Sequence, residues 1–375
     1  MTAPATAPAT ATAKDAGTMG AVHKREWNHV IHRRRGLGGL FAISMVCLVG
    51  CGHSVGGPPV TIPRSPSHST ATSATTHPTK SSTTVPPARS TTTTTIPPPP
   101  AALVPLATPA LAGEGQWTAA GRSVGGAPVL YITTLRAAGS GTPAGIAWMD
   151  AHRLRGNLYS GSISPGQGPW TYTAPIQPDA ALTLVCAFNG GFKLADSHGG
   201  YYAESRYFAP LVDGAASLVI TQDGTVTVGQ WNRDISMSAI VVAVRQNLTL
   251  LVDHGAPAPG LSPYDASAWG STIGNVSQTY RSGVGVTASG AIVYVSGPSL
   301  NVTQLAGLLV AAGAVRGMEL DINPNWDTFT FYTPPTPTGA AAPANGTDLL
   351  ASMSGGPSRF FEASWARDFI TMSTR

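Results

Sequence analysis

From about residue 113 onward, apolar positions come in short runs of four to eight, separated by Gly, Pro, Asn, Asp and Ser. That rhythm predicts strands joined by tight turns. Val129–Leu135 and Gly145–Met149 read as strands, and the Pro/Gly-rich Ser162–Trp170 as loop. Leu182 to Phe188 is a near-continuous apolar run, the mark of a strand buried on both faces, and it breaks at once into Asn189-Gly190-Gly191. Ser217–Thr221 and Thr225–Trp231 flank Asp223-Gly224, a hairpin signal. Ile240–Val244 and Leu248–Val252 follow as strands, and Val284–Thr287 with Ala291–Val295 form a second hairpin around Ser289-Gly290. Val302–Val315 carries a helical stripe (Leu305, Leu308, Leu309, Ala312), with Asn301 placed to cap it and Gly313 to end it. Glu319–Ile322 reads as a strand, Thr333–Pro343 as Pro-rich loop, and Phe360–Ile370 as an aromatic segment that packs back on the body. Strands dominate and one clear helix precedes a strand. The expected class is therefore α+β, a single mixed-sheet domain with few helices over residues 113–375.

The first 112 residues have a different character. Residues 1–35 are polar and basic, beginning Ala/Thr/Pro-rich and ending in Arg33-Arg34-Arg35, and are expected to be a disordered cytoplasmic tail or n-region. Residues 36–51 hold an uncharged apolar segment, short for a spanning helix and suited to a signal h-region. It ends in Leu48-Val49-Gly50-Cys51, which resembles a lipobox with Cys51 as the lipidated residue; an uncleaved signal anchor is the alternative. Either reading leaves the basic segment inside and the remainder outside a cell membrane. Residues 52–112 are Ser/Thr/Pro-rich and read as a disordered, extended stalk. The charge follows the same division. The first 112 residues carry nine Lys/Arg against Asp15 and Glu26, a net of +7, and since the whole chain is +4 the remainder carries −3. A pI of about 9.0 thus describes the tail, and it gives no ground for a nucleic-acid partner.

Chemistry can be sought at a few places. Two glycines after a buried strand allow positive φ angles or a close backbone approach, so Asn189 and the Gly190-Gly191 backbone are candidates to orient a substrate; a plain hairpin turn is the other reading. Alternation over Met318–Ile322 sets Glu319 and Asp321 on one face, with Cα atoms about 6.6 Å apart. Carboxyl pairs at either ~5–5.5 Å or ~6.5–9.5 Å serve glycosidases, so the spacing fits both outcomes, and it equally fits the polar face of an edge strand. Asn323 and Trp326 follow closely, an amide and an indole of the kind that line sugar sites. Arg281, with Ser282 beside it, has small apolar neighbours and reads as a fixed guanidinium for a phosphate or carboxylate, with a plain surface charge as the other reading. Glu204, in the polar stretch 193–208, is a reserve carboxylate. His198 and His254 pair with no nucleophile, and Cys47, Cys51 and Cys186 show no metal or disulfide spacing. No motif for a metal or a cofactor is present.

Taken in order, Phe188–Phe192, Gly199–Tyr202, Asp223-Gly224 with Val226–Trp231, Arg281–Gly285 and Leu320-Asp321 resemble the phosphodiester glycosidase domain family, named for the enzyme that removes N-acetylglucosamine from a phosphodiester to uncover mannose 6-phosphate. The resemblance spans about residues 130–370. It sets the family's Asn-Gly-Gly-Phe element on Asn189–Phe192, its Arg-(Ser/Thr)-x-(Val/Ile)-Gly element on Arg281–Gly285 and its Leu-Asp pair on Leu320-Asp321. Where the family continues with glycines and a Ser, this chain has Ile322-Asn323-Pro324-Asn325-Trp326, which lacks a backbone wrap for phosphate. The resemblance implies a hydrolase of a sugar-phosphate diester, which the N-terminal segment would tether to the envelope. Asp321 and Glu319 would be acid/base or nucleophile, Arg281 would hold the phosphate, and Asn189 would orient the substrate. A non-catalytic glycan-binding lipoprotein on the same scaffold is the rival, and a structural spacer a third reading. Side chains of Asn189, Arg281 and Asp321 are expected to line one pocket.

Overall fold

The computed structural model describes residues 98–375, apart from 167, 273 and 275. The basic tail, the apolar segment with Cys51, and the Ser/Thr/Pro-rich stretch up to 97 lie outside the described residues. Residues 101–111, on the linker side of the boundary expected at 113, make defined contacts. Leu103 N–H donates to Gly115 O (2.9 Å), and Arg136 donates to the carbonyls of Ala107 and Pro109 while pairing with Glu114.

The expected α+β class with a mixed sheet is corrected. All pairings between the strands are antiparallel. Among the described residues there are three α-helices, of which only Val302–Ala311 exceeds four residues. Hairpins and short loops fix this direction for consecutive strands such as Ala216–Thr221 with Val226–Gln230, and pairs distant in sequence, such as Ile292–Leu300 with Pro143–Met149, are antiparallel as well. One helix does not make a class.

Three sheets carry the body. The largest has eight strands, with Pro143–Met149, Ile292–Leu300, Thr279–Thr287, Ala314–Glu319 and Leu250–Asp253 adjacent in that order. A second, five-stranded sheet is built on Ala216–Thr221 and Val241–Gln246. The third, also five-stranded, places Leu184–Asn189 between Phe329–Tyr332 and Phe369–Thr374. Alternation divides the large sheet's faces. One face (Val284, Val286, Ile292, Tyr294, Met318, Leu320) joins residues of the other two sheets, among them Val185, Phe188, Leu218, Ile220, Phe329 and Ile370, in one core. The other face packs under the helix through Leu305, Leu308 and Leu309, each fully buried and worth roughly 1.5–3 kcal/mol. The helix can lie close because the strands beneath carry glycines; a Cβ on Gly283 or Gly317 would come 3.2 or 3.3 Å from Leu309. Among the described residues no helix is long and apolar enough to cross a membrane.

Candidate functional site

The strand Leu184–Asn189 is buried at every residue, as its apolar run predicts. Its end differs from expectation. Asn189 is only 1% exposed and does not present its amide at a sheet edge. Neither Gly190 nor Gly191 adopts a positive φ, so no tight turn of that kind forms. The glycines serve close approach instead. A Cβ on Gly190 would meet the Asp368 carboxylate, with Cγ at 2.7 Å, and one on Gly191 would meet Asn247 Oδ1 at 2.8 Å. Gly190 N–H donates to Asp368 O (2.9 Å), so it is not free for a substrate.

Around this crossing lies a buried polar network. Asp368, beside the last strand, accepts from Arg245 at both oxygens (Nε–Oδ2 2.7 Å, Nη2–Oδ1 3.2 Å). Arg367, in the bend just before that strand, takes different partners. Its Nη2 donates to Asp321 Oδ2 (2.6 Å) and to Gly191 O (2.9 Å), and its guanidinium lies 5.4 Å from the centre of the Trp326 ring. Asp321 Oδ1 accepts from the N–H groups of Ile322 (2.8 Å) and Asn323 (3.1 Å). Asn247 stitches the layers together: its Oδ1 accepts from Phe192 N–H (3.1 Å), and its Nδ2 donates to Glu319 O (2.9 Å).

Ser282 is the junction on the inner face. Asn189 Nδ2 donates to Ser282 Oγ (3.0 Å), while Asn189 Oδ1 accepts from Tyr294 Oη (2.8 Å) and Thr328 N–H (3.1 Å). Ser282 Oγ lies 2.8 Å from Asp321 O and 3.2 Å from Asp327 Oδ1. Arg281, one residue earlier, turns to the opposite face. Its Nη1 donates to Glu319 Oε1 (2.5 Å) and Trp269 O (3.2 Å), its Nε to Leu300 O (3.1 Å) and its Nη2 to Ser277 O (3.4 Å).

The structure thus brings Asn189 and Asp321 together through Ser282, and sets Arg281 with Glu319 across the strand. The cavity of about 280 Å³ that Arg281 lines, with Tyr264, Trp269 and Thr272, has neither Asn189 nor Asp321 in its wall. Glu319 is fully buried, inside the sheet and not on an edge, and all three Arg281 nitrogens are engaged by protein. Asp321 and Arg367 reach the surface slightly, with side chains each 6% exposed, next to half-buried Trp326 and exposed Asn323. Glu204 stands apart. Its carboxylate accepts from the N–H groups of Thr171 and Tyr172 and lines a groove with Tyr202 and Met237. Arg245, Asn247, Arg367 and Asp368 escape the sequence reading. Their signal is a charge or amide inside an apolar run, as in Val241–Asn247 and Trp365–Ile370, which burial obliges to find partners.

Burial sets the protonation states. It pushes Glu319 up to about 7, against the opposing pull of Arg281 and with a small addition from the Asp321 charge. Burial also raises Asp321, opposed by Arg367 and the two backbone N–H groups. Asp327 rises well above the usual carboxylate range through burial first and then the Asp321 charge; no guanidinium pairs with it. An Asp–Arg pair that just reaches the surface, its guanidinium over an indole, offers a carboxyl group, a cation and an aromatic face at one place. Those are the elements for holding a sugar ring beside an anionic group.

No family model matches this chain, and no curated protein matches it. Among solved structures it is similar to the catalytic domain of zebrafish N-acetylglucosamine-1-phosphodiester alpha-N-acetylglucosaminidase auto-inhibited by its pro-peptide. The identity is 15% over 69% of this chain and 88% of that one, with a TM-score of 0.40. It is also similar to a hypothetical protein from Synechocystis, at 12% identity over 66% of this chain and 62% of that one, with a TM-score of 0.36. Both are weak likenesses, low in identity and in TM-score.

Proposed function

We propose that this chain is an envelope-tethered, phosphodiester glycosidase-like domain that hydrolyses the glycosidic bond of a sugar-phosphate diester at the Asp321–Arg367–Trp326 surface. One observation carries the reading: the Asp321 carboxylate, at the outer end of a buried charge network, shares the guanidinium that stacks on Trp326. Trp326 would take a sugar face. Arg367 would meet the phosphate in place of Arg281, since its side chain reaches the surface beside Trp326 whereas every nitrogen of Arg281 is engaged by protein. Asp321, raised by burial, would serve as the acid/base. Glu319, sealed in the core, supports the charge balance and does not reach a substrate. Tethering through residues 36–51 and an envelope glycan as partner belong to the same proposal.

A second reading, a glycan binder without turnover, is favoured by one observation. Both Asp321 oxygens already accept hydrogen bonds from protein, which suits a fixed anchor better than a group that exchanges protons.

The test is turnover of a chromogenic sugar phosphodiester by wild type and Asp321→Asn, with binding and thermal melting measured alongside. The expected result is a loss of about 10²-fold or more in turnover with folding and binding kept. A variant that melts early and fails to bind makes Asp321 a structural residue. Normal turnover removes it from the mechanism, and binding without turnover by wild type establishes the binder.

A further inference from the structure

Asp327 is the odd member of the network. Four buried carboxylates (Glu319, Asp321, Asp327, Asp368) face three guanidiniums (Arg281, Arg367, Arg245), and the three pairs leave Asp327 without a cation. It is fully buried and its Oδ2 has no hydrogen-bond partner. Its Oδ1 lies 3.2 Å from Ser282 Oγ. That hydroxyl has one proton. The same Oγ is 2.8 Å from Asp321 O, a carbonyl that can only accept, and it already accepts from Asn189 Nδ2 at 3.0 Å. The serine proton therefore goes to Asp321 O, and Oγ has a lone pair left for Asp327. Two acceptors 3.2 Å apart would repel; one acceptor and one acid would bond.

We infer that Asp327 is carried as the neutral acid and donates its own proton to Ser282 Oγ, making it a positioning residue that fastens the Thr279–Thr287 strand to the turn bearing Asp321 and Trp326. The protonation state stands apart from the proposed function. Only the consequence for Asp321 rests on that reading.

The charged and titratable groups facing Asp327 are Arg281 and Tyr280 on one strand, Tyr294 on the next, and Glu319 and Asp321. Arg281 favours the ionised form and is itself engaged by Glu319; Glu319, Asp321 and burial favour the acid. The sign follows. A carboxyl raised in the folded state contributes stability that is complete below its unfolded value of about 4 and is lost as pH rises toward the folded value. Asparagine does not titrate, and its amide still donates to Ser282.

The experiment compares wild type with Asp327→Asn in two ways. Denaturant unfolding is followed from about pH 4 to 7, where wild type is expected to lose about tenfold in folding equilibrium per pH unit relative to the variant, other groups titrating in both. Infrared spectra with isotope-labelled aspartate at neutral pH are expected to show a protonated-carboxyl stretch that the variant lacks. Parallel stability curves, an opposite slope, or a carboxylate band alone would overturn the inference. If Asp327→Asn does not fold, Ser282→Ala answers the same question: removing the acceptor should shift the acid's stretch, and an unmoved or absent band refutes the bond. A wild type that shows the acid band but no turnover would count against the site reading only.

Discussion

Gly190 shows how a single missing atom sets the site. The chain passes between Asp368 and Asn247 with no room for a side chain, while the backbone there is ordinary enough for any residue. Alanine would therefore fail through contact and not through dihedral strain. It must push the Asp368 carboxylate away from Arg245, and both are buried to within 1%. Overpacking costs about 1–3 kcal/mol, and disturbing a buried ion pair adds to that, since a guanidinium left unpaired inside a protein costs about 3–5 kcal/mol. Gly190→Ala is expected to lose about 3 kcal/mol in denaturant unfolding, and a variant as stable as wild type would show that the crossing tolerates a side chain. Read from sequence, the glycine pair announces a special backbone, yet two meanings of glycine are open and the conformational one is wrong. Asn189 and Asp321 are legible because each ends an apolar run. The buried ion pairs are not legible in this way: Arg245 binds Asp368 at a separation of 123 residues and Arg367 binds Asp321 at 46, and no local pattern pairs them.

At the level of elements, strand positions follow the apolar runs closely. The hairpin around Asp223-Gly224 forms between Ala216–Thr221 and Val226–Gln230, and the one around Ser289-Gly290 between Thr279–Thr287 and Ile292–Leu300. The second pair is longer than its apolar run because Thr279, Arg281 and Ser282 also pair, with the side chains of Arg281 and Ser282 satisfied inside the protein. The strand expected at Glu319–Ile322 stops at Glu319, where Asp321 takes backbone N–H groups from its own turn. That local bond competes with the ladder, as short Asp side chains do. The helix begins where Asn301 predicts, with a capping box: Asn301 Oδ1 accepts from Gln304 N–H (2.9 Å), and Gln304 Oε1 accepts from Asn301 N–H (3.1 Å). Asn301→Ala is expected to cost about 1 kcal/mol, with Asn301→Ser restoring most of it. Equal stability of the alanine variant, by thermal unfolding, would mean that packing of the leucine stripe alone holds the helix end. The α+β class that the sequence suggests fails for a related reason. One well-capped helix is a loud local signal, but the antiparallel pairing of every strand is decided by which runs meet across the core.

Across the whole molecule, charge and apolarity are sorted along the chain. Residues 1–112 carry +7 and the remainder −3, and the cations of the first 35 residues sit directly ahead of an uncharged stretch that ends at Cys51. A basic segment followed by about fifteen apolar residues is what a translocation signal needs, whereas a spanning helix needs about twenty. If Cys51 is acylated and becomes the mature N-terminus, two things change together: residues 1–50 are lost and an acyl chain is gained. Cys51→Ala removes the thiol that forms the lipid bond, so the variant should keep the basic leader and lack the lipid. Intact mass then separates the readings, because the variant would be heavier by the leader and lighter by the acyl groups, and those masses differ greatly. Detergent partitioning gives a second readout, with mature wild type held by its acyl chains and the variant held only by the apolar segment. Equal mass and equal extraction for the two proteins would identify residues 36–51 as an uncleaved signal anchor, and the domain would then be tethered by polypeptide and not by lipid.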